Sequence, residues 1–431
     1  MILRGLRKRT TTEQDVFVLS GLAVVSFPIA TLAPLQAWIP PVFAGFIILY
    51  RHLKNVKSLL AKQTTITYLF GLTIAWSCIA SSWSISVYNS LFSTARLGMI
   101  FFLLAILLQV ARELPKQGRE TVKSWLVKGG LVGTYIALAK GTVLILFTWQ
   151  DTAYLASYDY KSVKLLFQSS SLVGGFNETA VIIALLCFPI VTCIKESYSA
   201  RSALIYIVPI SLLLVLLAPL AIIVAVIAGM IVFWITQYSR YYSALLVKLS
   251  ICTYLIFIIF LHNISDWLTR VFLSGVHLPD EALHRLSIWK FAAEKISERP
   301  FQGYGLNTSR VFPGAQLETT LYQDASGKLV TAPSMPLHPH SAFLQIWLEL
   351  GGLGVILTIG LLYIVISGIS KIPNARGAAA AMALFTAGFT ITQLSFGIWQ
   401  GWLMGALCTA VILAQILIDP ASPYQPANDD L

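Results

Sequence analysis

Charge is what this chain has least of. Only 11% of its 431 residues are Asp, Glu, Lys or Arg, while 57% are hydrophobic. An ordinary soluble domain is about a quarter charged, so a water-soluble globule is excluded. Short alternating apolar and polar segments, the mark of a transmembrane barrel, are lacking as well. The five cysteines (Cys78, Cys187, Cys193, Cys252 and Cys408) all lie in apolar runs, and no CxxC spacing occurs. That excludes a thiolate metal motif, and no disulfide is expected. The segments between apolar runs hold no Asp-x-Asp and no clustered carboxylates, so no metal and no other cofactor is expected. Internal repeats are absent by eye, and Lys140 is the one clear ionisable group near the middle of a span. Both absences weigh against a repeat-built transporter or an ion pump.

What the chain does have is apolar runs of about 17–25 residues, the length of helices crossing a ~30 Å hydrocarbon core. Twelve spans are expected, at 16–34, 36–50, 66–82, 94–111, 126–148, 178–194, 203–218, 220–237, 249–263, 351–369, 377–394 and 399–418. Helices satisfy their own backbone groups in lipid, so the fold class is an all-α multispan membrane protein. The second run is short and holds Pro40 and Pro41, which predicts a kinked or partly re-entrant segment. The basic start, MILRGLRKR, precedes an apolar run with no small-residue cleavage site; it reads as a retained signal anchor.

The net charge of +11 does not point to nucleic acid, because the bases fall in short clusters between apolar runs. With the N-terminus inside, eighteen of the thirty Lys and Arg residues fall in the short inner segments and the tail. The short outer connections have almost none, as the positive-inside rule requires. Residues 1–263 then form spans one to nine, 264–350 a large outer loop, 351–418 spans ten to twelve, and 419–431 an inner tail. A structureless loop of about 87 residues would be uncommon, and long loops are usually functional. This one carries seven Lys or Arg and four of the six histidines, a surface suited to an anionic ligand.

Within that loop, residues 281–298 have helical periodicity. Leu286, Trp289, Ala293 and Ile296 recur on one side, and Arg285 points the same way as Trp289. An arginine on an apolar stripe is costly unless it meets an anion. Pro300 stops the helix. The segment FQGYGLN, with Gly303 and Gly305, reads either as a tight turn or as a cradle of backbone N–H groups for phosphate. From His340 the chain looks helical again, with His340, Phe343, Leu344 and Trp347 on one face. Glu349 falls on the opposite face, a place from which to anchor a neighbouring loop. Pro339 sets His340 at the expected helix start, where the dipole favours a neutral imidazole.

These residues together resemble a family. Arg285-x-x-x-Trp289, Pro300-x-x-Gly303-x-Gly305, His340-x-x-x-Leu344 and Glu349-x-Gly351 look like the signature of the O-antigen ligase and O-antigen polymerase superfamily. GGFNETA, from Gly174 to Ala180, is similar to that family's earlier motif. The resemblance covers most of the chain. It implies a GT-C-like membrane glycosyltransferase that works without a metal. Such enzymes take a glycan from undecaprenyl diphosphate at the periplasmic face of the bacterial inner membrane. It further implies functional roles for Arg285 and His340. The chain departs from the pattern at two points. Ser341 follows the histidine where many members have Asn. The start of the eighth span reads LLAPLAIIV, with Ala218 and Pro219 where many members carry Ser-Arg. Either Arg96 or Lys140 substitutes for that arginine, or donor binding has changed.

Arg285 is therefore the first candidate to hold a diphosphate, with Arg96 and Arg310 behind it. His340 is the candidate general base or acceptor-orienting group. His338, Gly303, Gly305, Asn177, Glu178, Lys140 and Glu349 are further candidates for the site. Tyr154, Tyr158, Tyr160, Trp267 and Trp347 suit an interfacial aromatic belt. The expected partners are the lipid-linked donor, a lipid A-core or glycan acceptor, and membrane lipids. A ligase reading leads, and a repeat-unit polymerase is the alternative. A polysaccharide or solute transporter and a noncatalytic envelope scaffold remain as readings of another class.

Overall fold

The computed structural model describes residues 10–56, 65–154, 171–273, 280–323 and 327–418. The tail 419–431, Tyr158, Tyr160, His277 and the basic residues at 4, 7, 8, 9, 57 and 62 lie outside them. So do the side chains of Tyr154 and Trp267.

Thirteen α-helices make up nearly all of the described chain. The first nine are α1 (Thr11–Leu32), α2 (Ile39–Arg51), α3 (Thr65–Ala80), α4 (Val87–Glu113), α5 (Lys116–Tyr154), α6 (Ser171–Ser197), α7 (Ala200–Leu217), α8 (Leu220–Tyr238) and α9 (Arg240–Leu273). Then come α10 (Asp280–Glu298), a hairpin of β1 (Glu318–Gln323) and β2 (Leu329–Pro333), α11 (Ala342–Ile369), α12 (Ala375–Leu394) and α13 (Gly401–Leu417). The protein is a multispan, all-α membrane protein. Each of the twelve expected runs lies on a helix, but among the described residues ten helices are long and apolar enough to cross a membrane. Helix α2 has 13 residues, about 20 Å at 1.5 Å per residue, well short of the hydrocarbon thickness. Helix α13 has 17 residues.

Helix α6 is the centre of the bundle and touches α1, α5, α7, α8, α12 and α13. Its residues Ala180 to Leu185 are 0–1% exposed, as expected of a helix apolar all round. Lipid gives no hydrophobic drive between such helices, so close packing does the work. Glycine supplies it where α5 meets α1. A Cβ on Gly129 would sit 2.6 Å from the Val24 carbonyl oxygen, and one on Gly133 would sit 2.6 Å from the Phe27 ring.

The long connection is more ordered than a loop. Helix α9 continues past the expected end at 263 to Leu273, because residues 264–273 contain neither Pro nor Gly. Helix α10 forms as expected, although its buried stripe is Ile288, Ala292, Ala293 and Ile296 rather than one starting at Leu286. The stripe joins a core of Ile258 and Leu261 from α9, Tyr304, Phe312 and Met335 from the connection, and Leu344 and Leu348 from α11. The antiparallel β1–β2 hairpin was not expected. Helix α11 is two helices in series, broken at Gly351, whose φ is 65° and ψ −167°. The break frees the carbonyls of the first piece, which a continuous helix would bond internally.

Candidate active site

The freed carbonyls receive the glycine turn. Tyr304 N donates to Leu348 O at 3.0 Å and Gly305 N to Glu349 O at 2.8 Å. Trp76 Nε1 donates to Leu350 O at 2.8 Å. The contact is too close for side chains. A Cβ on Gly303 would lie 2.5 Å from Glu349 O, one on Gly305 2.2 Å from Ser84 Oγ, and one on Gly351 2.1 Å from Phe301 O. All three glycines have positive φ, which costs glycine least. Gly303 N donates to Arg299 O, Leu306 N to Ser90 Oγ and Asn307 N to Glu349 Oε2. The amides of the turn are taken by protein partners, so it is a docking turn and not a phosphate cradle.

Glu349 is 0% exposed and accepts five hydrogen bonds. Oε1 receives Ser309 N, Ser309 Oγ and Gln345 Nε2. Oε2 receives Asn307 N at 2.5 Å and Trp399 Nε1 at 2.6 Å. It therefore ties the glycine turn to the connection between α12 and α13. Its use as a loop anchor matches the sequence-based expectation.

That connection, residues 395–400, organises the rest. The C-terminal carbonyls of a helix need outside donors, and two of the candidate side chains supply them for α12. Arg285 Nη1 donates to Leu394 O at 2.5 Å. His340 Nδ1 donates to Ser395 O at 2.5 Å. Arg285 also pairs with Glu281 one turn earlier on α10, at 2.5 Å. Cationic and N–H donors suit the negative end of a helix. Further along, Gly397 N lies 3.2 Å from His338 Nε2. Ile398 N donates to Gln345 Oε1 at 3.0 Å. Arg96 Nη2 donates to Trp399 O at 2.7 Å.

His340 is not the first residue of a helix, as the sequence suggested. It has φ 51°, and Ser341 is the N-cap of α11, accepting from Leu344 N. The serine that replaces the family's asparagine thus still has a capping role, and it also meets Tyr254 Oη at 2.9 Å. Because Ser395 O can only accept, Nδ1 of His340 carries the hydrogen, and the Nε2 lone pair is left for another partner. Burial, then the Arg285 and His284 charges, push His340 below the usual histidine range against the opposing Ser395 bond. Burial first, then His340, Arg310 and Arg285, holds His338 down to about 3. Both imidazoles are neutral at pH 7, and their ring centroids are 4.3 Å apart.

Arg310 is exposed, in a short 3₁₀ turn beside the Glu349 anchor. Its charge is felt by Arg96 and by His338, so Arg285, Arg96, Arg310, His338 and His340 form one group. Lys140, Glu178 and Asn177 belong elsewhere. Lys140 Nζ lies 3.5 Å from Thr31 O and 3.3 Å from Thr179 Oγ1, with Glu178 in electrostatic reach. That places this trio among α1, α5 and α6, and Asn177 is exposed there. The sequence reading missed Gln345, Gln393 and Trp399. Gln393 Oε1 accepts from Phe343 N at 3.1 Å and so fixes the start of α11. The available signal was SFGIWQ, an interruption between two apolar runs that contains polar and aromatic residues.

A bundle of membrane-crossing helices with an arginine and histidine group gathered by one long connection defines the class of this protein. Residues 204–359 match the family model O-Antigen ligase, a range that contains Arg285, Arg310, His338, His340 and Glu349. Three relatives, each named "Putative polysaccharide ligase", are similar to the chain. One from Rickettsia bellii is 26% identical over 416 residues, 94% of this chain and 95% of the relative. One from Rickettsia conorii is 27% identical over 359 residues, 82% and 80% of the two chains. One from Rickettsia prowazekii is 35% identical over 139 residues, 32% and 33% of the two chains. The protein is O-antigen ligase-like, a ligase-like membrane enzyme.

Proposed function

We propose that the protein transfers a glycan from undecaprenyl diphosphate to an acceptor hydroxyl without a metal, with lipid A-core as the acceptor, at the periplasmic face of a bacterial inner membrane. The names of the relatives support glycan as the transferred group. The observation that carries the reading is His340, its Nδ1–H fixed on Ser395 O and its Nε2 lone pair unassigned, beside the half-buried Arg285. In the step, the acceptor O–H gives its proton to Nε2 as the oxygen attacks the anomeric carbon. The bond from that carbon to the diphosphate oxygen breaks, and its electron pair leaves with the diphosphate. Direct attack inverts the anomeric centre. Arg285 faces the departing charge with the N–H groups not used on Leu394 and Glu281, an electrostatic role of the kind guanidinium serves well. Arg310, with Arg96 behind it, offers a second cationic position. The Ser395 carbonyl stabilises the imidazolium formed at His340.

The test is the glycan profile of a strain lacking the gene, complemented with wild type, Arg285→Ala or His340→Ala. Long polymer stranded on the carrier in the deletion and in both variants, with each variant present in the membrane, is the expected result. Single repeats at the surface without long chains would mean a polymerase instead. Full transfer by both variants would reject the assignment of these residues.

A further inference from the structure

We propose that His338 is a positioning residue for His340, its Nδ1 holding the His340 backbone in the left-handed turn that aims the second imidazole. The inference rests on the reading of His340 as the base.

The observations begin with a bond between a side chain and an amide two residues later. His340 N donates to His338 Nδ1 at 3.2 Å. Asn and Asp side chains make this i to i+2 bond in Asx turns, and here an imidazole takes their part. Pro339 lies between the two histidines and has no N–H to compete. Its carbonyl is held in turn by Trp289 Nε1 at 2.9 Å. His340 has φ 51°, a conformation that a large side chain keeps only when its surroundings impose it. The bonds at 338, 339 and 340 supply that restraint on three consecutive residues.

The ring of His338 is itself immobile and closed to ligands. The residue is 5% exposed, and both ring nitrogens face backbone amides, those of His340 and Gly397. Gly397 packs against the ring, where an added Cβ would sit 2.9 Å from Cδ2 and Cγ. A substrate therefore does not reach this side chain, and His338 acts through His340. A neutral imidazole has one in-plane lone pair, so it accepts fully from only one of the two amides. The strained backbone at His340 assigns that lone pair to Nδ1.

The assignment separates two substitutions of similar size. Asparagine places its Oδ1 near the position of Nδ1 and forms an Asx turn by itself. Glutamine reaches toward the position of Nε2 and the Gly397 amide. The experiment compares H338N, H338Q, H338A and H340A in membranes of the deletion strain that hold its own carrier-linked glycan. It reads the initial rate of transfer and the amount of each variant in the membrane. The expected result is no transfer by H340A, a loss of about a hundredfold in H338A and H338Q, and most of the activity retained in H338N. H338Q active with H338N inactive would overturn the inference, as would H338A at the wild-type rate while H340A is inactive. H338N as poor as H338A at equal abundance would also overturn it. Activity in H340A would instead reject the reading on which the inference rests, and the inference with it.

Discussion

Glu349→Ala removes the one acceptor that serves five donors in a site closed to water. Two of those donors have an alternative, because the Ser309 hydroxyl can rotate and the Gln345 amide can turn. Three do not: the amides of Asn307 and Ser309 and the Trp399 indole N–H. A buried donor left without a partner costs about 1–3 kcal/mol, so the loss is at least about 3 kcal/mol. Thermal unfolding of the purified protein in detergent reads this as a fall in Tm of at least about 6 °C, at roughly 2 °C per kcal/mol. Glu349→Gln separates shape from acceptor number. It preserves volume but turns one oxygen into an N–H₂ group. With that group at the Oε1 position, Ser309 Oγ and Gln345 adapt and only the Ser309 amide is stranded, so the fall should be roughly a third that of alanine. A Tm for Glu349→Ala within about one degree of wild type would refute the anchor. Transfer should fall in parallel, because Trp399 and Ser395 lie on one short connection and Ser395 orients His340.

The pH dependence follows from the two histidines. Burial holds His340 below the usual histidine range, so its base form predominates at neutral pH. Initial rates of transfer should be level above 6.5 and fall only as pH drops through the lower folded value; a half-maximal point at 7 or above would contradict this. For stability, His338 binds its proton near 6.5 when unfolded and at about 3 when folded. The unfolded chain takes up the extra proton in that window, so stability is full above 6.5 and is lost as pH falls toward 3, by at most about 1.4 kcal/mol per pH unit. Denaturant titrations at several pH values measure this slope, from which His338→Asn should remove the His338 share and leave that of His340. Gly351→Ala places a Cβ on Phe301 O at a residue with φ 65°, a loss of more than about 2 kcal/mol from clash and backbone strain together. Poor accumulation of that variant in membranes is the expected outcome, and normal accumulation with unchanged Tm would count against the kink.

Much of the fold is legible because its signals are local. Apolar length alone marks the segments that became α1 to α9 and α11 to α13. The periodicity of 281–298 marks α10, with Arg285 facing the protein. Less was legible where a signal is short or neutral. The β1–β2 hairpin spans only Thr319–Tyr322 and Val330–Ala332 at its centre, too few residues for alternation to stand out. The extension of α9 to Leu273 carries an amphipathic pattern, with Ile264, Trp267, Leu268, Val271 and Phe272 at helical spacing, but Asp266 and Arg270 interrupt the continuous apolar run by which the spans were marked.

The candidate site divides in the same way. Its residue types were visible: a basic, histidine-bearing connection in a chain otherwise poor in charge, with Arg285 and His340 standing out. What those residues do to one another was not. Ser395, Gly397 and Trp399 lie more than fifty residues beyond His338 in sequence, yet their atoms meet His340, His338 and Glu349. The glycine turn can be read from sequence as a tight turn or as an anion cradle, until the kink at Gly351 presents three carbonyls for its amides and the Trp76 indole. Composition and spacing select residues by what each carries along its own stretch of chain. Burial, a left-handed φ at His340 and the partner of each lone pair depend on which segments the folded bundle brings together, and only the tertiary structure decides that.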